Sequence, residues 1–144
     1  MPEVDSLRAI GRLYQRMTAA AVMGNPVAYA ACYTEDGVLH PPHDPPIQGR
    51  DEVREWAEAL FGTWSMKGHT VSMDDQRIGT TVAFSRYCGV GDFVPKEGGE
   101  PVPYDLKYID TLVRQADGTW LIACHMWSSN VPGSSVWTKE ARAS

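Results

Sequence analysis

A tight reversal near the C-terminus restricts the folds open to this chain more than any other feature. Two long β-type runs, within Asp105 to Ser129, flank Ala116-Asp117-Gly118-Thr119. The Asp-Gly pair supplies the positive φ that a two-stranded turn needs. Side chains alternate across a strand, so the runs sort into two unlike faces. The even face carries Tyr104, Leu106, Tyr108, Asp110 and Leu112, then Trp120, Ile122, Cys124 and Met126. The odd face carries Asp105, Lys107, Ile109, Thr111 and Val113, then Leu121, Ala123, His125 and Trp127. The first set is nearly all core material. The second gathers a carboxylate, an ammonium, an imidazole and an indole, which suits either a wet surface or a polar-lined pocket.

The rest of the chain supplies what such a hairpin packs against. Leu7, Ile10, Tyr14, Met17 and Ala21 recur at helical spacing, with Asp5 or Ser6 as caps and Gly24 as the stop. Asn25-Pro26 reads as a cap followed by proline in the first turn of a short helix reaching Tyr33, with Val27, Ala30 and Ala31 inward. A short strand, Val38 to His40, leads into the stiff loop Pro41-Pro42-His43-Asp44-Pro45-Pro46. A third helix opens after Gly49 and buries Val53, Trp56, Ala57, Leu60 and Phe61. From His69 the pattern has period two, with strands over His69–Ile78 and Thr81–Val94 before the hairpin. Helices followed by antiparallel strands predict an α+β fold with the helices on one side of a sheet. A length of 144 residues suits one domain, taken as 1–131, with 132–144 as a loose tail whose candidate anchor is Trp137.

Composition removes several function classes. The net charge of −5 is spread along the chain, with no basic footprint for nucleic acid or anionic membrane. No apolar run reaches the ~20 residues of a membrane span, and the N-terminus lacks a signal-peptide pattern. Cys32, Cys88 and Cys124 are odd in number and set in apolar runs, as expected of reduced thiols in a cytoplasmic protein. No zinc-site spacing occurs, and the expectation is neither metal nor cofactor. His40, His43 and Asp44 tempt a metal reading, but two prolines hold the histidines apart on a stiff segment.

Three stretches carry a family likeness: Tyr33-Thr-Glu-Asp-Gly-Val-Leu-His-Pro-Pro, Pro45-Pro-Ile-Gln-Gly-Arg-Asp-Glu-Val-Arg, and Asp117-Gly-Thr-Trp-Leu-Ile-Ala-Cys-His-Met-Trp-Ser. In order and content they resemble the nuclear transport factor 2-like superfamily, and within it the SnoaL-like group. The resemblance implies a cone: a strongly curved antiparallel sheet wrapped around N-terminal helices, enclosing an apolar pocket, commonly paired as a homodimer through sheet faces. It implies no single activity, because the superfamily holds isomerases, cyclases, dehydratases and non-catalytic association domains.

Carried over residue by residue, the acidic base of SnoaL-type cyclases falls at His125, whose imidazole can perform the same proton abstraction. The ketosteroid isomerase base falls near Pro41, which cannot act, and that enzyme's neutral-acid donor falls near Asp110. Asp110 and His125 lie on opposite hairpin faces unless a bulge shifts the register. The catalytic candidates are thus His125, with Asp105 as a neighbour across the hairpin. Tyr14, His40, Trp56, Lys107 and Trp127 are candidates for substrate binding. Arg86 reads as either an oxyanion donor or half of an ion pair. The expected function is a cofactor-free enzyme performing isomerisation, cyclisation or dehydration on a small apolar polyketide, terpenoid or steroid-like molecule. The alternative is a ligand-binding or dimeric association domain without chemistry.

Overall fold

The computed structural model describes residues 2–132, 136–138 and 141. Three helices, α1 (Pro2–Met23), α2 (Pro26–Ala30) and α3 (Arg50–Thr63), alternate with and precede six strands. These are β1 (Tyr33–His40), β2 (Ile47–Gln48), β3 (Trp64–Ile78), β4 (Val82–Pro95), β5 (Val102–Arg114) and β6 (Trp120–Ser129). They form one curved, unclosed sheet in the order β2-β1-β6-β5-β4-β3. The helices lie against its concave side, with α1 packed on β3 and β6 and α3 packed on α2 and β1.

The helix register differs from the sequence reading in two places. On α1 the buried stripe is Ile10, Leu13, Met17 and Ala20, while Leu7 is 49% exposed. The helix starts at Pro2, earlier than Asp5 or Ser6, and Leu7 borders a surface groove with Gln76 and Ile78 of β3. On α2 the Asn25 side chain accepts from the Ala28 amide at 3.0 Å and Pro26 occupies the first turn, as the sequence implies. The helix ends at Ala30, however, and buries Tyr29 and Ala30 while Val27 stays exposed. Tyr33 is then freed to open β1, five residues before the strand expected from Val38.

The early start of β1 is a consequence of its neighbour. β1 runs parallel to β6, pairing Tyr33 with Ile122 and Leu39 with His125, and the register shifts between Tyr33 and Val38. Gly37 sits in that irregular stretch, where a Cβ would lie 3.0 Å from the Thr34 carbonyl oxygen and 3.2 Å from that of Ile122. Any larger residue would push β1 off β6. Arg50, at the start of α3, fixes the same corner by donating to the Tyr33 carbonyl at 2.6 and 3.0 Å.

The last hairpin contains the feature that orders the interior. β5 keeps strict alternation, with Tyr104, Leu106, Tyr108, Asp110 and Leu112 all buried. β6 does not. Its register against β5 shifts between the pairs Thr111–Cys124 and Leu112–Ile122, leaving one extra residue, Ala123, on β6. Before this bulge the buried residues are Trp120 and Ile122; after it they are His125 and Trp127. A bulge exchanges the faces of the residues beyond it. Asp110 and His125 therefore become direct partners across the ladder, on one concave face.

The tail contributes to the core at one point. Val136 and Trp137 are buried, and the Trp137 indole donates to the Pro42 carbonyl at 2.9 Å. Of the expected loose tail, residues 133–135, 139–140 and 142–144 lie outside the described residues.

Candidate functional site

Between the helices and the concave face is a cavity of about 90 Å³. Its wall is aromatic: α1 contributes Tyr14, α2 Tyr29, α3 Trp56 and Phe61, and the sheet Tyr87, Phe93, Tyr108 and Trp127. Two glycines on β4 make room for the large rings of β5. A Cβ at Gly91 would lie 2.7 Å from the Tyr104 ring, and one at Gly89 would lie 3.1 Å from the Tyr108 ring. Tyr108 consequently lies flat, stacked on Tyr87 at 4.6 Å and on the His125 imidazole at 5.3 Å.

One fully buried carboxylate organises the polar part of this wall. Asp110 is 0% exposed. Its Oδ2 accepts from the hydroxyls of Tyr14 and Tyr87, each at 2.7 Å. Its Oδ1 lies 2.5 Å from His125 Nδ1. An ionised carboxylate is only an acceptor, and three donors converge on this one. Burial without them would cost several kcal/mol, so the three partners are what allow a charge at this depth. Burial is also the largest reason the hydroxyls of Tyr14 and Tyr87 are held far above the ordinary phenol range, with the Asp110 charge adding to it. Both therefore stay protonated donors. With Nδ1–H given to Asp110, His125 keeps its lone pair on Nε2. That nitrogen is free to accept a hydrogen bond or a proton.

A second imidazole lines the same cavity. His69, on β3, places Nδ1 2.5 Å from the Tyr104 hydroxyl, and burial lowers its pKa below the usual histidine value. Sequence reasoning uses His69 only as the start of a strand and misses this role. A third polar pair, Tyr33 and Tyr29, is joined hydroxyl to hydroxyl at 2.9 Å. Sequence reasoning misses it too, because Tyr33 reads there as the end of a helix.

Of the residues singled out from sequence, the structure brings His125, Tyr14, Trp56 and Trp127 together on the cavity wall. It does not bring Asp105, Lys107 or His40 there. Asp105 and Lys107 are odd-numbered residues of β5, which has no bulge, so they face the convex side; Asp105 accepts from the Asn130 side chain at 3.3 Å. His40 pairs with Met126 on β6, one residue out of phase with His125, and so shares the outward face. Arg86 also points outward, 3.6 Å from Asp74 in an exposed ion pair. Among the described residues no three histidine, cysteine, aspartate or glutamate side chains cluster as a metal site. No helix among them is long and apolar enough to cross a membrane.

With this geometry in hand, comparison with known proteins places the chain. A family model described as a SnoaL-like domain matches residues 2–124. The chain belongs to the SnoaL-like family. Solved structures similar to this SnoaL-like protein include a ketosteroid isomerase-like protein from Erwinia carotovora atroseptica, 26% identical, with a TM-score of 0.80 over 88% of this chain and 98% of the other. Another is a variant of Rv3472 from Mycobacterium tuberculosis, of unknown function, 25% identical, with a TM-score of 0.75 over 89% and 78%. A candidate scytalone dehydratase from Novosphingobium aromaticivorans, 20% identical, shares the fold with a TM-score of 0.76 over 90% and 87%. No curated protein sequence matches the chain.

Proposed function

We propose that this SnoaL-like protein is a cofactor-free enzyme that moves protons on small apolar ketones of polyketide, terpenoid or steroid type. The product is that of an isomerisation, an aldol-type cyclisation or a dehydration. The observation that supports this reading is the 2.5 Å contact of His125 Nδ1 with buried Asp110 at the wall of an aromatic cavity. The Nε2 lone pair of His125 removes a proton from the carbon next to a carbonyl. The C–H electron pair becomes the enolate double bond, and the carbonyl π pair moves onto oxygen. Return of the proton from Nε2–H to another position completes an isomerisation with no further reagent. Asp110 faces the imidazolium formed in between and holds the ring in one tautomer. Tyr14 and Tyr87 position Asp110, because their hydroxyls are engaged by it. The name of the ketosteroid isomerase-like relative agrees with this chemistry. Three free cysteines agree with a reducing, cytoplasmic setting.

The test is hydrogen exchange. In D2O the protein is expected to accelerate deuterium incorporation next to the carbonyl of 2-tetralone, a flat enolisable ketone, and His125→Gln is expected to abolish the acceleration. Equal exchange by the two proteins would overturn the assignment of the base.

A second reading, association without chemistry, has its own observation. The convex face exposes Val82 and Val90 of β4, Ile109 of β5 and Met126 of β6 at 44–55% of their surface, with Ile109 and Met126 paired across the ladder. A homodimer packed through that face is compatible with either function, and light scattering of the purified protein tests it. A monomer at micromolar concentration would remove this reading.

A further inference from the structure

Counting hydrogens around His125 shows two donors that the fold leaves unspent. Tyr33 and Tyr29 have two hydroxyl hydrogens and share one bond. One hydrogen is left over. Tyr33 is 0% exposed and does not line the cavity, whereas Tyr29 does, so Tyr33 donates and the spare hydrogen belongs to Tyr29. Among the described residues no acceptor takes it. The second donor is the indole nitrogen of Trp127, which is buried and has no hydrogen-bond partner. Trp127 is 6% exposed, and so is Tyr29. A buried donor without an acceptor is unfavourable, and each such group in a folded protein requires an explanation.

The two donors belong to one closed circuit of rings. Tyr33 contacts Tyr29 at a centroid distance of 5.4 Å, Tyr29 contacts Trp56 at 6.4 Å, and Trp56 contacts Trp127 at 5.8 Å. Trp127 contacts His125 at 5.1 Å, and His125 returns to Tyr33 at 6.3 Å. The rings that carry the base and both unspent donors therefore border the same part of the cavity. Both oxygens of Asp110 are already engaged by Tyr14, Tyr87 and His125, and the acceptor left beside them is the Nε2 lone pair of His125. Such a wall offers N–H and O–H and asks for an oxygen.

We infer that Tyr29 and Trp127 hold the ligand's acceptor oxygen, and that the ligand is an uncharged, flat ketone whose carbonyl lies between them beside His125. The identity of the oxygen as the one that gains charge rests on the proton-transfer reading above; its binding does not. During proton removal the same two donors face the enolate oxygen, where hydrogen bonds strengthen as charge develops. The Trp127 ring is held edge-to-face between Trp56 and Trp137.

Binding of two probes with one skeleton tests this: 2-tetralone, which has the carbonyl, and tetralin, which lacks it. Affinities are read by titration NMR. Wild type is expected to prefer 2-tetralone by at least ~10-fold, the size of one or two net hydrogen bonds. Tyr29→Phe keeps the ring and is expected to lower that preference ~5-fold while leaving tetralin affinity unchanged, and Trp127→Phe is expected to do likewise. His125→Gln is expected to retain the preference even where it stops exchange, which separates failure of this inference from failure of the mechanism. Equal affinity for the two probes in wild type, or an unchanged ratio in Tyr29→Phe, would overturn it.

Discussion

Two imidazoles line one cavity, and their partners differ. His125 sits 4% exposed against a carboxylate, itself held by two tyrosines. His69 is more exposed and meets only a neutral phenol, Tyr104. A carboxylate fixes which nitrogen carries the proton and faces the cation formed when the other nitrogen is protonated. A phenol offers a hydrogen bond without that charge. The same side chain in the same pocket is thus held by a carboxylate in one place and by a phenol in the other. Asp110 meets His125 from the neighbouring strand, whereas Tyr104 meets His69 across β4, over Gly91.

The largest test of this contrast removes the carboxylate. Asp110→Ala leaves Tyr14, Tyr87 and His125 without their common acceptor, and a loss of about 3–5 kcal/mol in urea unfolding is expected. Tyr104→Phe at the other pair is expected to cost about 1 kcal/mol. Similar losses at the two sites would show that the Asp110 cluster is an ordinary set of hydrogen bonds. Next comes catalysis: His125→Gln is expected to slow exchange of 2-tetralone by about 10²–10⁴-fold, the range for a lost general base. Asp110→Asn preserves shape but presents an amide to Nδ1, and an intermediate loss of kcat with little change in KM would identify Asp110 as a positioning residue. A smaller effect is expected from Tyr14→Phe or Tyr87→Phe, each about 1.5–3 kcal/mol for a hydrogen bond to a charged group. The two share Oδ2, so the double variant is expected to be non-additive.

How much of this is legible in the sequence follows from the same residues. Alternation in β5 is plain, so the inward course from Tyr104 through Asp110 to Leu112 can be read directly. Helix α3 is equally legible, since a dense stripe from Val53 to Phe61 has one way to be buried. The bulge at Ala123 is not legible, because no glycine or proline marks it and its cause is pairing with two strands at once, β5 and parallel β1. That single residue decides whether His125 meets Asp110 or solvent. Alternation assigns His125 to the face of Asp105 and Lys107; tertiary pairing assigns it to the face of Asp110. Tyr33 and Tyr29 escape for a related reason: four apart, they look like helix neighbours, yet one ends a helix turn and the other opens a strand.

The smallest effect isolates His69 itself. Burial lowers its folded-state pKa, while the unfolded chain keeps the ordinary value near 6.5. Below that value the unfolded state binds a proton that the folded state resists, so stability falls as pH drops from about 6.5 toward the lowered folded pKa, and levels off beneath it. The opposite slope would require a raised folded pKa, as a carboxylate partner at that position would produce. His69→Gln keeps a polar group for Tyr104 and removes the titration. Comparing melting temperatures of wild type and variant from pH 7.5 to 5 subtracts the histidines common to both. Wild type is expected to lose a few degrees more than the variant over that interval. An equal loss would mean that His69 titrates as it does in water, and the contrast with His125 would then rest on the Asp110 contact alone.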